Sequence, residues 1–140
     1  SFPTRRSSDL KKQKLKMWRS QEVQSIVSNK AHRLGVRISH ICAWGTSKFA
    51  YDGSGRILRG REGGFTTYEL CKFQSGRIYN CDLSASYNIG ARYFIREIIK
   101  SLDASSRLGI EAKVPQCAKR STCTFSTLIS LNAELTALAA

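Results

Sequence analysis

The sequence predicts an α+β fold, on three observations. Residues 15–34 and 82–102 each repeat apolar side chains at helical spacing. Residues 36–44 alternate with period two, the pattern of a strand with one buried face. Residues 45–80 are rich in turn sequences with short β-prone pieces between them.

In the first helix, after KKQKLK, the apolar positions are Val23, Ile26, Val27, Ala31 and Leu34, and Gly35 follows as a C-cap. Arg19, Lys30 and Arg33 fall on its exposed side. In the strand that follows, Val36, Ile38, Cys42 and Trp44 alternate with Arg37 and Ser39, and His40 shares the inward-facing set as a core histidine. Turn chemistry then dominates: DGSG at 52–55, GREGG at 60–64 and QSG at 74–76. The pieces KFAY, RIL, FTTYELCKF and RIY between them predict one or two hairpins, inserted in a larger scaffold. GREGG fits no phosphate-binding loop and has no helical pattern after it.

The helix over 82–102 is the clearest element. At 100° per residue from Asp82, an arc of about 80° to 220° holds Leu83, Tyr87, Gly90, Ala91, Phe94, Ile95, Ile98 and Leu102, a predicted core face. Arg92, Arg96 and Lys100 fall on the side of Asp82, as a cationic stripe running away from it. Residues 103–140 read as a loose tail with a short apolar end, Leu128 to Leu138, and suggest no function. Two amphipathic helices need more sheet or helix to cover them, so the expectation is that part of the domain is missing.

Charge narrows the partner. The 140 residues carry 23 Lys and Arg against 10 Asp and Glu, a net +13, with 41% hydrophobic residues. Such a chain is globular and meets polyanions. No apolar run approaches the ~18 residues of a membrane span, and no signal-peptide pattern is present. Nucleic acid is therefore the leading partner class. Cys42, Cys71, Cys81, Cys117 and Cys123 form no CxxC pair, which predicts reduced structural thiols in a cytoplasmic protein. The first ten residues, SFPTRRSSDL, fit nothing downstream and resemble translated sequencing-adapter read-through; an ordinary basic N-terminus is the alternative.

Asp82 opens the best helix of a very basic chain. An acid in a first helical turn is stabilised by the helix dipole, by ~0.3–1 kcal/mol, and needs no other role. Alternatively it is one of several carboxylates that hold two divalent ions for phosphodiester hydrolysis, with Arg92 and Arg96 gripping phosphates. One aspartate cannot make that site alone.

The segment CDLSASYNIGARYF resembles the third RuvC-like motif of the TnpB family, insertion-sequence proteins related to type V CRISPR nucleases. There the aspartate is followed two, three, four and six residues later by Asn, Ala, Ala and Asn; here those positions hold Ser84, Ala85, Ser86 and Asn88. Ser84 departs from the pattern but keeps a small polar group. Upstream, WGTSKFAYDGSGR resembles the region where the family carries a Thr-Ser pair, here Thr46 and Ser47. The resemblance runs from about Lys11 to the C-terminus.

It implies an RNase H-like domain, with residues 11–44 and 81–102 as its C-terminal part, 45–80 as a target-binding insertion, 103–140 as a tail and 1–10 as foreign. By order, helix 15–34 follows the fourth strand and 36–44 is the fifth. Asp82 is then the third catalytic acid and a magnesium ligand, with Ser84 and Asn88 supporting the motif. Thr46, Ser47, Lys48, Arg92 and Arg96 are the implied nucleic-acid contacts. The other two acids are expected before residue 11, and Glu22, inside a helix, is not one of them. The implied function is the C-terminal fragment of a transposon-encoded, RNA-guided DNA endonuclease, inactive alone, with a DNA target and a guide RNA as partners. A zinc ribbon of the best-known members would place ligands near Ala50, Gly53, Cys71 and Gln74. One thiolate holds no structural zinc, so a zinc-free insertion is expected, held by hairpin pairing and by Phe65, Tyr68, Phe73 and Tyr79. A non-catalytic basic module that docks on DNA or RNA is the alternative.

Overall fold

The computed structural model describes residues 7–140. Residues 1–6, most of the stretch read as foreign, lie outside the described residues; Ser7–Leu10 are helical. The chain divides into two units, at His40 and Ile41.

The first unit is a single long helix, α1 (Ser7–Arg33), followed by an irregular segment. The helix starts earlier than the apolar spacing suggested, because the lysine-rich stretch is made of good helix formers. It ends as the sequence predicts. Gly35 takes φ +69°, and the Gly35 and Val36 amides bond back to His32 and Ala31 at 3.1 and 2.8 Å. This double closure consumes carbonyls that the last turn leaves open, and its positive φ favours glycine.

The strand expected at 36–44 does not form. Residues 36–43 are irregular, and Val36, Ile38 and Trp44 are exposed, as is His40, which was expected inside. Alternation supplies side chains suited to one buried face, but a strand also needs a neighbour for its amides and carbonyls. Among the described residues no strand pairs with it.

The second unit holds the packed core. A small antiparallel sheet, β1 (Leu58–Arg59), β2 (Leu70–Lys72) and β3 (Ile78–Asn80), pairs in chain order, with Cys71 opposite both Arg59 and Tyr79. Strand β3 runs directly into α2 (Cys81–Ser101), which α3 (Ala104–Lys113) and α4 (Phe125–Ala139) follow. The 3₁₀ turns Gly60–Gly63, Pro115–Ala118 and Arg120–Thr122 fill the connections. One apolar cluster joins Ala91, Ile95 and Ile99 of α2 to Ile110, Val114, Cys117, Cys123 and Leu131. A second joins Ala50, Ile57, Cys71, Phe73 and Cys81 under the sheet.

Residues 103–140 are therefore no loose tail. Asp103 caps α3 through the Ser106 amide, Pro115 starts a 3₁₀ turn, and Ile110 and Leu131 are fully buried. The loop-like signals SSR and VPQ mark a helix start and a tight turn, both inside one folded unit.

The buried face of α2 is also turned from the one expected. Ala91 and Ile95 are buried as expected, with Ile98 and Leu102 packed against their cluster, but Leu83 and Phe94 are 53% and 56% exposed, and Ser84, Asn88, Arg92 and Ile99 are buried instead. Three polar side chains lie on this face because each has partners there. The Ser84 hydroxyl accepts from the Tyr51 amide at 3.2 Å. Asn88 Nδ2 donates to the Thr46 and Phe49 carbonyls at 3.0 and 2.8 Å, and its Oδ1 accepts from the Phe125 amide at 3.0 Å. Arg92 donates to four carbonyls: Cys42 and Trp44 from Nη1 at 2.6 and 2.7 Å, Ser121 from Nη2 and Cys123 from Nε, each at 2.9 Å.

Asn88→Ala strands two buried carbonyls and one amide, each loss costing ~1–3 kcal/mol less whatever water recovers. We expect it to lower stability by about 3 kcal/mol in urea unfolding, while Ile89→Ala, at a half-exposed position, changes it by under about 1 kcal/mol.

Candidate functional site

Asp82 sits where β3 becomes α2. The Cys81 amide still bonds across to the Glu69 carbonyl, at 2.8 Å, so the strand pairing extends to the first helical residue. Asn80 then caps the helix, its Oδ1 accepting from the Asp82 and Leu83 amides at 2.9 and 3.1 Å. The Asp82 carboxyl is left exposed in the first turn. Among the described residues no three His, Cys, Asp or Glu side chains gather as a metal site. Asp82 thus offers one carboxylate, where a magnesium site takes several oxygen ligands.

The nucleic-acid contacts implied by the resemblance separate into two groups. Ser47 and Lys48 are at the surface, with Lys48 Nζ 5.5 Å from the centre of the exposed Trp44 ring. Thr46 is buried: its hydroxyl donates to the Ala43 carbonyl at 2.8 Å, and its own carbonyl accepts from Asn88. Arg92 is 5% exposed and committed to main-chain carbonyls, so it forms no part of a surface stripe. Burial pulls its guanidinium below the usual range, which the nearby Cys42 and Cys123 partly offset, and an arginine so bonded stays charged. Arg96 is largely covered, 3.4 Å from Glu97 and beside the Tyr93 ring. Asn88 is a fully buried bridge and Ser84 a buried acceptor, so both act on the fold around Asp82.

Two tight turns face each other where the resemblance would put zinc ligands. In the first, the Ala50 amide bonds to the Gly55 carbonyl at 2.9 Å and Gly53 closes on Ala50. In the second, Phe73 pairs with Arg77 at 2.8 Å and Gly76 closes on Phe73. Asp52 bridges them, accepting from the Ser54 amide at 2.9 Å and the Ser75 hydroxyl at 2.8 Å. Of the four positions only Cys71 offers a ligand, and it is fully buried, its thiol donating to the Tyr79 carbonyl at 3.3 Å. Burial, with Cys81 adding to it, pushes that thiol up to about 12. Zinc does not fit this set.

Aromatic rings fill the space instead. Tyr51 lies 5.6 Å from Phe73, 5.0 Å from Tyr79 and 5.2 Å from Tyr87, centre to centre. Its hydroxyl also accepts from Arg77 Nη1. Phe73 and Tyr79 are in this cluster as expected, whereas Tyr68 is 70% exposed and Phe65 packs on Gly63. The sequence reading missed Tyr51, the hub, and the inward role of Arg92. The spacing Ser84, Asn88, Arg92, Ile95, Ile99 holds the signal, a helical ladder continuing into certain core residues. Comparison with known protein families, curated proteins and solved structures finds no match to this chain.

Two outcomes follow. With four cysteines buried and Cys42 exposed, a thiol reagent at neutral pH labels Cys42 alone in the native chain and all five after denaturation. Rapid native labelling of Cys71 would contradict the packing. Burial raises the Asp52 carboxyl, but the hydrogen bonds from Ser54 and Ser75 and the charge of Arg77 outweigh it, leaving it below the ordinary 3.8. A lowered acid stabilises the fold above its unfolded value, and loses that contribution as pH falls through its folded one. The stability gap between native protein and Asp52→Ala is therefore full above pH 3.8 and closes in stronger acid, as measured by urea unfolding across pH.

Proposed function

We propose that this chain is the C-terminal part of a transposon-encoded, RNA-guided DNA endonuclease of the TnpB kind, acting in the cytoplasm on a DNA target chosen by a guide RNA. The observation that carries the proposal is the CDLSASYNIGAR motif, its aspartate solvent-exposed at a capped strand-to-helix junction. A carboxylate on such a junction is held in place by both elements, as a ligand position requires. In this reading 11–44 and 81–102 belong to an RNase H-like domain, and 45–80 is its zinc-free insertion.

Hydrolysis by such enzymes depends on magnesium held by several carboxylates. Asp82 supplies one, and in this reading the others come from sequence outside these 140 residues, which alone are expected not to cut DNA. The exposed first-turn position of Asp82 also fits a second reading, a non-catalytic basic module on DNA or RNA, in which Asp82 serves only its helix.

The two readings part on one substitution. With the 140 residues joined to an upstream reading frame that encodes the partner acids, Asp82→Asn is expected to abolish magnesium-dependent cleavage. Retained cleavage favours the binding module. The isolated chain, at net +13, is expected to bind generic DNA at least about a hundredfold more weakly at 200 than at 50 mM salt. Binding indifferent to salt would remove the polyanion reading altogether.

A further inference from the structure

The sheet carries a second feature, which does not include Asp82. Arg59, Arg61, Glu62 and Tyr68 line an open hollow of about 510 Å³, within the range of small-ligand sites. Two local devices shape it. Gly60, at φ +54°, has no side chain, and a Cβ there would lie 2.6 Å from Tyr68 Cε1, so bare backbone seats one edge of the ring. Arg59 Nη2 donates to the Tyr68 carbonyl at 3.0 Å, which ties the end of β1 to the segment leading into β2. The ring is nevertheless 70% exposed. Arg59 Nε is a buried donor with no hydrogen-bond partner among the described residues. Arg61 stands on the adjoining 3₁₀ turn, and Glu62 on the same turn lies 3.4 Å from Arg56.

We propose that this hollow is a single-stranded nucleic-acid subsite, in which one base stacks on Tyr68 and its phosphate lies between Arg59 and Arg61. A seated but exposed aromatic ring offers a flat face to a base, and every base has one. The two guanidinium groups are fork-shaped donors suited to a phosphate. The Glu62 carboxylate, its charge shared with Arg56, keeps the phosphate on the arginine side. Bases inside a duplex are already stacked on each other, so the ligand is single-stranded. This deepens the reading of the insertion as nucleic-acid-binding, on which it rests, and needs neither Asp82 nor hydrolysis.

The test is fluorescence anisotropy on the 140-residue chain with labelled strands of about twelve nucleotides: DNA, RNA, and an abasic deoxyribose-phosphate strand of equal charge. The base-bearing strand should bind about tenfold or more tightly than the abasic one. Tyr68→Leu should erase that preference, Tyr68→Phe should keep it, and Arg61→Gln should weaken both strands. Tyrosine dependence with DNA alone, or with RNA alone, identifies the polymer and supports the site. A preference for bases that survives Tyr68→Leu overturns the subsite but leaves a basic nucleic-acid surface intact. Absence of binding to any strand overturns the subsite and the nucleic-acid reading together. Loss of the Tyr68 effect leaves the Asp82→Asn cleavage experiment unaffected, so the two failures are distinguishable.

Discussion

Helix α2 is anchored by polar side chains bonded to main-chain groups, and the second unit depends on that anchor. The segments around residues 42–50 and 121–125 are largely irregular, so most of their carbonyls have no ladder to join. Buried carbonyls left without donors are costly. Asn88 and Arg92, one turn apart, make seven bonds between them to these two segments, six as donors and one as acceptor. Only a guanidinium suits the second position, since it presents several donors in one rigid plane; a lysine ammonium at the end of a flexible stem does not. With these bonds formed, the apolar side of α2 below them closes on α3 and α4.

The small sheet depends on the same helix. Strands of two or three residues are marginal by themselves. They persist because Tyr51 packs against Phe73 and Tyr79 on one side and against Tyr87 of α2 on the other, while its amide bonds to Ser84. Ring pairs of this kind contribute about 0.5–1.5 kcal/mol each beyond the area they bury. The Asp52–Ser75 bond then holds the two turns together at the rim. Packing and hydrogen bonding thus cross-link the two turns to the sheet.

Interior and surface divide along the same line. The side chains that hold α2 are interior and shape the junction at which Asp82 stands. Lys48 beside Trp44 and the Arg59–Arg61–Tyr68 hollow lie on the loops and sheet outside it. A chain with so many positive charges needs few of them for any one contact, and burying Arg92 leaves its overall field intact.

The sequence by itself determined the features whose causes are local. Gly35 ends α1 because only its immediate neighbours are involved. The turns at 52–55, 60–64 and 74–76 follow from glycine and short polar residues. The existence of α2, and the acid at its head, follow from spacing and capping. Tertiary structure decided the rest. Residues 36–43 alternate like a strand, yet among the described residues no strand pairs with them, which no local pattern reports. The buried face of α2 is set by bonds from Arg92 to carbonyls 29 to 50 residues away along the chain, so the apolar stripe located Ala91 and Ile95 correctly but not the polar half of that face. Residues 103–140 read as a tail because their turns resemble loop sequence, and they supply five of the eight buried residues of one apolar cluster only through packing on α2. Periodicity reports which side chains avoid water; partners distant in sequence determine where polar groups can be buried, and here those partners decided the orientation of the helix.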